Sequence, residues 1–202
     1  MINSGACTLS AQQLTSPVSK DAMVAELGAG RDDEAQLFRT MRRLRQDVMA
    51  HLIVRDLGGL APLQEVLVTI STLAEETLRQ AQRFYADALR ATYGVPRNAA
   101  GNVQQLHIVA MGKLGGHELN VSSDIDLIFV YPEEGKTDGK REIDNHDYFN
   151  RLARKIVAMI SNYTEDGYVF RVDTRLRPYG DSGPLVVSFD MLEEYFYAQG
   201  RE

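Results

Sequence analysis

The stretch ELNVSSDIDLIFVY, residues 118–131, decides how this chain folds. Its second half, 125–131, is an apolar and β-rich run of the kind that lies buried in a sheet. Asp124 and Asp126 stand at the start of this run. Because side chains alternate faces along a strand, both carboxylates point the same way, about 6 to 7 Å apart. Two like charges on one face of a buried strand are destabilising unless a cation lies between them, so the stretch predicts a core strand whose beginning faces a cation.

The composition limits the class of protein. The chain has 202 residues, 44% of them hydrophobic, which suffices for one globular domain with an appendage. Its net charge of −6 argues against a nucleic-acid partner, and its single cysteine, Cys7, fits a reducing cytosol. No apolar run approaches the roughly 18 residues that span a bilayer, and the N-terminus lacks the features of a signal peptide. We therefore expect a soluble, cytoplasmic protein without a membrane partner.

The first half of the chain predicts two long helices after an irregular start. Residues 1–33 are rich in Ser, Thr, Gly and Asp without periodicity, and we interpret them as a flexible leader. Over 34–95, apolar residues recur at helical spacing, interrupted by Gly58–Gly59 and resumed after Pro62, which predicts an αα-hairpin. A group of arginines on the first helix favours a solvated or domain-docking face over a ligand site. These arginines are Arg39, Arg42, Arg43 and Arg45.

After the hairpin the pattern changes to a mixture of strands and helices, which predicts an α+β fold. Residues 104–202 are expected to form a small mixed sheet with helices mainly on one face, truncated at its C-terminal end inside a helix. The predicted elements are a buried strand at 106–111, the strand at 125–131, a helix beginning near Asp144, an alternating strand at 168–176 and a short strand at 184–189.

A glycine-rich turn, GKLGG at 112–116, follows the first of these strands. It lacks the G-x-x-x-x-G-K-[ST] spacing of a phosphate loop, and no G-x-G-x-x-G occurs in the chain. The adjacent Gly115 and Gly116 can still leave backbone N–H groups free to face a phosphate. A tight turn at the exit of a strand is an equally good interpretation, and the sequence does not separate the two.

The segment YVFRVDTRLR, 168–177, divides its residues by face. Apolar side chains occupy one side, while Asp173 lies on the other among Arg171, Arg175 and Arg177. An exposed edge covered with salt bridges is one interpretation. If instead the segment pairs with the core strand and its charged side faces the same way, three carboxylates converge.

Three converging carboxylates would supply the cation site that Asp124 and Asp126 need. They suit Mg²⁺, a hard cation that takes oxygen ligands and leaves room for phosphate oxygens. Two such ions about 3.5 to 4 Å apart can hold the attacking and leaving oxygens of a phosphoryl displacement. A purely structural salt-bridge network is the alternative. The side chains expected beside the phosphates are those of Lys113, Ser122, Ser123, Arg175 and Arg177.

The order of these elements resembles a known superfamily. A strand, a Gly–Gly turn, a D-x-D strand and a later strand with a third Asp resemble the nucleotidyltransferases with a DNA polymerase β-like core, although the seven-residue spacer before Asp124 is short for that group. MGKLGGHELNVSSDIDLIFVYPEEG at 111–135 and DGYVFRVDTRLRPYGDSGPLVVSF at 166–189 resemble the bacterial glutamine synthetase adenylyltransferase/adenylyl-removing family. The similarity runs over roughly 34–202 and makes 104–202 the nucleotidyltransferase catalytic core.

The resemblance implies one half of a two-part enzyme. In this family, the half near the N-terminus removes AMP from a tyrosine of glutamine synthetase, using inorganic phosphate and releasing ADP, and the other half adds AMP from ATP. The sequences ELN-SSDIDLIF and RVDTRLRP-GDSGPLV resemble the removing half. The resemblance therefore implies Mg²⁺-dependent phosphorolysis, with glutamine synthetase as protein substrate and the nitrogen-signalling PII protein as regulator of the full-length enzyme.

The resemblance also implies roles for single residues. Asp124, Asp126 and Asp173 would be the ligands of two Mg²⁺ ions. Two other functions stay open: transfer of AMP from ATP to the same tyrosine, with pyrophosphate as product, and a module that binds a nucleotide or a partner without catalysis. The intact set of three acids argues against the second of these. The phosphate contacts implied by the resemblance are Gly115, Gly116, Ser123, Arg175 and Arg177.

Overall fold

The computed structural model describes residues 13–29 and 33–199, so Cys7 and the first part of the predicted leader lie outside the described residues. None of the described helices is both long enough and apolar enough to cross a membrane. In chain order, the helices and strands are α1 (Lys20–Ala29), α2 (Glu34–Leu57), α3 (Leu63–Tyr93), β1 (Pro96–Asn98), β2 (His107–Met111), α4 (Gly112–Gly115), β3 (Ile125–Tyr131), β4 (Gly135–Thr137), α5 (Asn145–Ser161), β5 (Val172–Asp173), β6 (Val186–Ser188) and α6 (Phe189–Gln199).

The long helices α2 and α3 form the predicted αα-hairpin. α2 begins after Asp33, whose carboxylate accepts hydrogen bonds from the N–H groups of Ala35 and Gln36 and so caps the helix. It ends at Gly58, and α3 begins directly after Pro62. The helical spacing and the residues that interrupt it therefore predict both helices correctly.

The helix α1 lies in the segment whose composition predicts a flexible leader. Its Met23 and Leu27 are 0% and 2% exposed and belong to the main hydrophobic core, where α1 packs against α2 and α3. The hydroxyl of Ser19 accepts the N–H of Ala22 at 3.2 Å at the start of the helix. Two core residues are too few to give a recognisable period, which explains why the pattern did not predict this helix.

The sheet has β3 at its centre. β2 pairs with it antiparallel along one edge, from His107 opposite Val130 to Met111 opposite Asp126. On the other edge, β5 pairs parallel with the beginning of β3, and β6 pairs parallel with its end. β1 and β4 form a separate two-stranded antiparallel ladder. The prediction of an α+β fold with a small mixed sheet is confirmed.

Two predicted strands differ from the observed ones. β2 is an edge strand rather than a buried one, since it pairs with β3 alone and its side chains are exposed or half-buried. The strand predicted at 168–176 is reduced to Val172–Asp173. Its first part is held instead by the end of α5, because the N–H groups of Val169 and Phe170 both donate to the carbonyl of Ile160, and the chain turns directly after Asp173.

The two faces of β3 are buried differently. One face packs against the main hydrophobic core and is called the thick side here, and the other packs against a small cluster and is called the thin side. The residues that face the main core with α3 and α5 are Ile125, Leu127, Phe129 and Tyr131. On the thin side, Ile128 and Val130 form a small cluster with Val187 of β6 and Leu192 of α6. Burial on both faces explains why the run is continuously apolar. Because side chains alternate, Asp126 shares the thin side and stays out of the main core.

One buried arginine joins the hairpin to the core. Arg42 on α2 is 1% exposed, and its guanidinium donates to the carbonyls of Met159 at 3.2 Å and Gly167 at 2.9 Å. It also donates to the carbonyl of Asn162, the C-cap of α5. A cation at this end satisfies carbonyls that have no partner within the helix. The docking interpretation therefore fits Arg42, whereas Arg43 beside it is exposed.

Candidate active site

The strand pairing brings the three predicted acids together. Asp126 on β3 is the register partner of Asp173 on the parallel strand β5, which places the two backbones about 4.8 Å apart. Asp124 immediately precedes β3, where the pairing continues, because the N–H of Ile125 donates to the carbonyl of Arg171 at 2.9 Å. The three acids thus lie on two neighbouring backbones at the beginning of the parallel pair.

The pKa of Asp126 reflects how close these carboxylates stand. It is raised above its ordinary value, first by burial and then by the negative charges of Asp173 and Asp124. The positive charge of Arg175 offsets part of this effect. Within residues 13–29 and 33–199, no side chain donates a hydrogen bond to Asp126. This is the electrostatic condition that a bound cation would relieve.

The other two acids are each held by an arginine. The Nε of Arg171 donates to Oδ1 of Asp124, and its Nη2 donates to the carbonyl of Ser122 at 2.7 Å. The backbone N–H of Arg175 donates to Oδ1 of Asp173 at 2.8 Å, and its Nε donates to Oδ2 at 2.9 Å. The hydrogen bonds from Arg175 lower the pKa of Asp173 below its ordinary value.

The acids fit a divalent cation in identity and backbone position. As the side chains stand, no group of three or more His, Cys, Asp or Glu in the described part of the chain is arranged to hold a metal ion. At Asp124 and Asp173, the carboxylates are paired with Arg171 and Arg175. The side chains of Arg171 and Arg175 are 59% and 71% exposed, so both can turn away. Three carboxylates on adjacent strands then provide the oxygen ligands that Mg²⁺ prefers.

The glycine turn packs directly against this acidic cluster. α4 begins at Gly112, whose φ is +54°, and a Cβ there would lie 2.5 Å from Oδ2 of Asp126. A Cβ on Gly115 would lie 2.6 Å from the carbonyl oxygen of Ala110, and the N–H of Gly116 donates to the carbonyl of Gly112 at 3.2 Å. The tight turn therefore requires glycine at Gly115 and uses the N–H of Gly116, and the contact of both residues with phosphate stays a prediction.

Three of the residues expected beside a phosphate meet at the loop before β3. Asn120 organises this loop, because its Oδ1 accepts the hydroxyl of Ser123 at 2.7 Å and the N–H of Ser122 at 3.2 Å. From the glycine turn, Nζ of Lys113 donates to Oγ of Ser123 at 3.4 Å. The structure thus groups Lys113, Ser122 and Ser123 next to Asp124.

Arg177, by contrast, is turned away from the acids. Its side chain is 11% exposed, and its guanidinium donates to the carbonyl and the hydroxyl of Thr174 at 2.8 and 2.7 Å. Its nearest carboxylate partner is Asp181, at 3.7 Å. Arg177 therefore closes the turn after β5, and the structure does not bring it to the acidic cluster as a direct partner.

The sequence prediction did not include Asn120, which holds the loop before β3. It also did not include Gly112 and Arg171. The alternation in 168–177 already placed Arg171 on the side of Asp173, and Gly112 is the first glycine of GKLGG. What the sequence lacked was register. Only the pairing of Met111 with Asp126 sets Gly112 beside that carboxylate, and only the pairing of β5 with β3 sets Arg171 beside Asp124.

Comparisons with known proteins identify the family of this chain. Residues 7–202 match the family described as glutamate-ammonia ligase adenylyltransferase. The chain is also similar to proteins named bifunctional glutamine synthetase adenylyltransferase/adenylyl-removing enzyme. That of Nitrosomonas europaea is 56% identical over 174 residues, or 85% of this chain and 19% of that protein. That of Chromobacterium violaceum is 57% identical over 172 residues, again 85% and 19%.

A third relative extends the match along the chain. The protein of the same name from Nitrosomonas eutropha is 51% identical over 197 residues, which is 95% of this chain and 21% of that protein. The chain therefore spans about a fifth of the length of the curated relatives that it matches.

Proposed function

The chain belongs to the glutamate-ammonia ligase adenylyltransferase family, and on this premise we propose that it removes AMP from adenylyl-tyrosine of glutamine synthetase by phosphorolysis. The family has a nucleotidyltransferase-like fold, as the sequence predicts. The observation that carries the proposal is the register of β5 on β3, which sets Asp173 beside Asp126 and close to Asp124. Three carboxylates so placed are suited to bind the Mg²⁺ ions of a phosphoryl transfer.

The proposed reaction exchanges one bond to the α-phosphorus for another. An oxygen of inorganic phosphate attacks the α-phosphorus of adenylyl-tyrosine, the bond from phosphorus to the phenol oxygen breaks, and the leaving phenolate takes up a proton. ADP and the free tyrosine are the products. Two Mg²⁺ ions held by Asp124, Asp126 and Asp173 would neutralise charge on the attacking and leaving oxygens.

The remaining residues of the site bind and orient phosphate groups in this proposal. Arg175 and Lys113 are cations close to the acids and share the negative charge of the phosphates. The hydroxyls of Ser122 and Ser123 lie in the loop that Asn120 organises. Gly115, Gly116 and Arg177 are retained as phosphate contacts on the family resemblance, with less support from geometry.

The partners and the division of the chain are part of the same proposal. Glutamine synthetase is the protein substrate named in the relatives, and the PII protein would act on the longer enzyme. We assign catalysis to 104–202, preceded by the hairpin at 34–95, and the cytoplasm as the place of action. The resemblance to the removing half rests on the segments 118–129 and 171–186.

A second candidate is the opposite reaction, transfer of AMP from ATP to glutamine synthetase. It is favoured by the double name of the relatives, of which this chain covers about a fifth. The two candidates differ in their products, since removal by phosphate gives ADP and addition from ATP gives pyrophosphate.

The test is a turnover assay of this chain with adenylylated glutamine synthetase, Mg²⁺ and inorganic phosphate, in which the released nucleotide is identified. We expect ADP, and we expect Asp124→Asn to reduce its formation by about 10³-fold while the circular dichroism spectrum is unchanged. Asp87→Asn, on the exposed side of α3, is the control and should keep full activity. Full turnover by Asp124→Asn would refute the metal role, and pyrophosphate formation from ATP would favour the second candidate.

A further inference from the structure

Two of the three acids are paired with arginines from one short segment. Arg171 and Arg175 stand two residues before and two residues after Asp173. The first reaches across to Asp124, and the second folds back onto Asp173 itself. Asp126, between them, has neither arginine as a hydrogen-bond partner. The two arginines therefore pair with Asp124 and Asp173 and leave Asp126 without a hydrogen-bonded guanidinium from this segment.

These pairs and a bound cation compete for the same oxygens. Asp173 accepts the backbone N–H of Arg175 and a fork of its guanidinium, so both carboxylate oxygens are engaged. Asp124 accepts the Nε of Arg171 on Oδ1. A divalent cation coordinates through these same lone pairs, so at least one arginine contact must open before the cluster can act as a ligand set.

Both pairs are accessible to solvent from the arginine side. Both arginine side chains are more than half exposed, and water and salt weaken ion pairs that they can reach, although Asp173 itself is 17% exposed. A guanidinium matches the geometry of a phosphate as well as that of a carboxylate, through the same planar fork of N–H donors. An arginine released from Asp124 or Asp173 would therefore remain next to the place where phosphate groups are expected.

We propose that Arg171 and Arg175 are exchangeable counter-ions of the acidic cluster, which a divalent cation displaces and which then bind the phosphate groups of the substrate. This inference rests on the proposed function and deepens it. It assigns to Arg171 a role that the sequence prediction did not give it. Cation binding and phosphate binding then favour each other. The cation releases the arginines from the carboxylates, and the released arginines bind the phosphate groups.

The test measures binding of Mn²⁺, as a probe for the divalent cation, from the electron paramagnetic resonance of the free ion. Arg171→Gln and Arg175→Gln remove one competitor each, so we expect each to bind Mn²⁺ about two- to five-fold more tightly than the unaltered chain. Arg97→Gln is the matched control. It also removes a partly exposed arginine from an ion pair with an aspartate, but its partner is Asp138, outside the acidic cluster, so it should leave the Mn²⁺ affinity unchanged.

A second readout separates competition from a loss of structure. With Mn²⁺ saturating, Arg171→Gln and Arg175→Gln should bind ADP more weakly than the unaltered chain, although they bind the metal more tightly. A structural defect would weaken both. If Arg171→Gln does not fold, Arg175→Gln carries the test, because its pair spans only two residues of the same segment.

The outcomes distinguish this inference from the function on which it rests. Mn²⁺ affinity that depends on Asp126 but is equal or weaker in both arginine variants overturns the counter-ion role alone. Mn²⁺ binding that Asp126→Asn leaves unchanged overturns the metal site, and with it both proposals. Tighter binding in both variants without any release of ADP supports the counter-ion role and leaves only the proposed reaction refuted.

Discussion

Arginine has opposite roles in two regions of this molecule. At the joint between the hairpin and the core, Arg42 is 1% exposed and donates to backbone carbonyls, and burial lowers its pKa. At the acidic cluster, Arg171 and Arg175 have side chains 59% and 71% exposed and donate to carboxylates. A buried guanidinium must be fully hydrogen-bonded to be tolerated, whereas an exposed pair is weak and exchangeable. Burial, more than residue type, decides whether an arginine fixes the fold or stays available for chemistry.

The largest expected effect tests the buried side of this comparison. Arg42→Met keeps most of the side-chain volume but removes the guanidinium that donates to the carbonyls of Met159, Asn162 and Gly167, of which Gly167 alone, in the described part of the chain, keeps a donor, Thr164. We expect the free energy of unfolding to fall by roughly 3 kcal/mol, measured by urea denaturation. Arg43→Met, one residue along α2 and exposed, is the control and should change it by less than about 0.5 kcal/mol. Equal losses of unfolding free energy in Arg42→Met and Arg43→Met would show that the buried arginine stabilises the fold no more than the exposed one.

An intermediate effect is expected at the backbone of the acidic cluster. Gly112→Ala adds a Cβ 2.5 Å from Oδ2 of Asp126 at a φ of +54°, so it combines backbone strain with a collision. We expect a loss of about 2 kcal/mol in unfolding free energy and at least a tenfold loss of turnover. Gly59→Ala, at a φ of +67° in the hairpin turn with nothing within 4 Å, isolates the strain. It should cost about 1 kcal/mol and leave turnover unchanged. Equal turnover in both variants would show that the collision is harmless.

The smallest effect concerns the pH dependence of stability. The pKa of Asp126 is raised in the folded chain, so the folded state binds this proton more strongly than the unfolded state, and stability is lost as pH rises through the raised pKa. Without divalent cations, Asp126→Asn should therefore raise the melting temperature at neutral pH, by less than about 3 °C. The difference should vanish below the ordinary Asp pKa of about 3.9. A lower melting temperature at neutral pH would show that the Asp126 charge stabilises the fold.

The sequence predicted those parts of the structure that depend on local periodicity. The hairpin followed from two long apolar stripes with Gly58 and Pro62 between them, and the central strand followed from the run at 125–131. The short helix α1 carries too few apolar residues to be recognised. The apolar run at 106–111 predicts a buried strand but forms an edge strand, because an apolar run does not reveal how many neighbours a strand has.

The candidate site was predictable in its acids but not in its pairing. Asp124 and Asp126 stand together in the sequence, whereas Asp173 joins them only because β5 pairs with β3. Which arginine meets which acid depends on side-chain direction across two strands. The sequence offered Arg175 and Arg177 on equal terms, but the turn after β5 takes Arg177 to Thr174 and Asp181 instead.

The glycine at the start of α4 has a consequence for anyone who would move this site to another protein. The D-x-D pattern looks portable, since two acids can be written into almost any strand. Here the neighbouring strand β2, whose Met111 pairs with Asp126, must also be followed directly by Gly112, because a Cβ at that position would lie 2.5 Å from Oδ2 of Asp126. The smallest transferable unit is thus three strands: β2 with the glycine that follows it, β3 with two acids at its start, and the parallel strand β5 with the third acid.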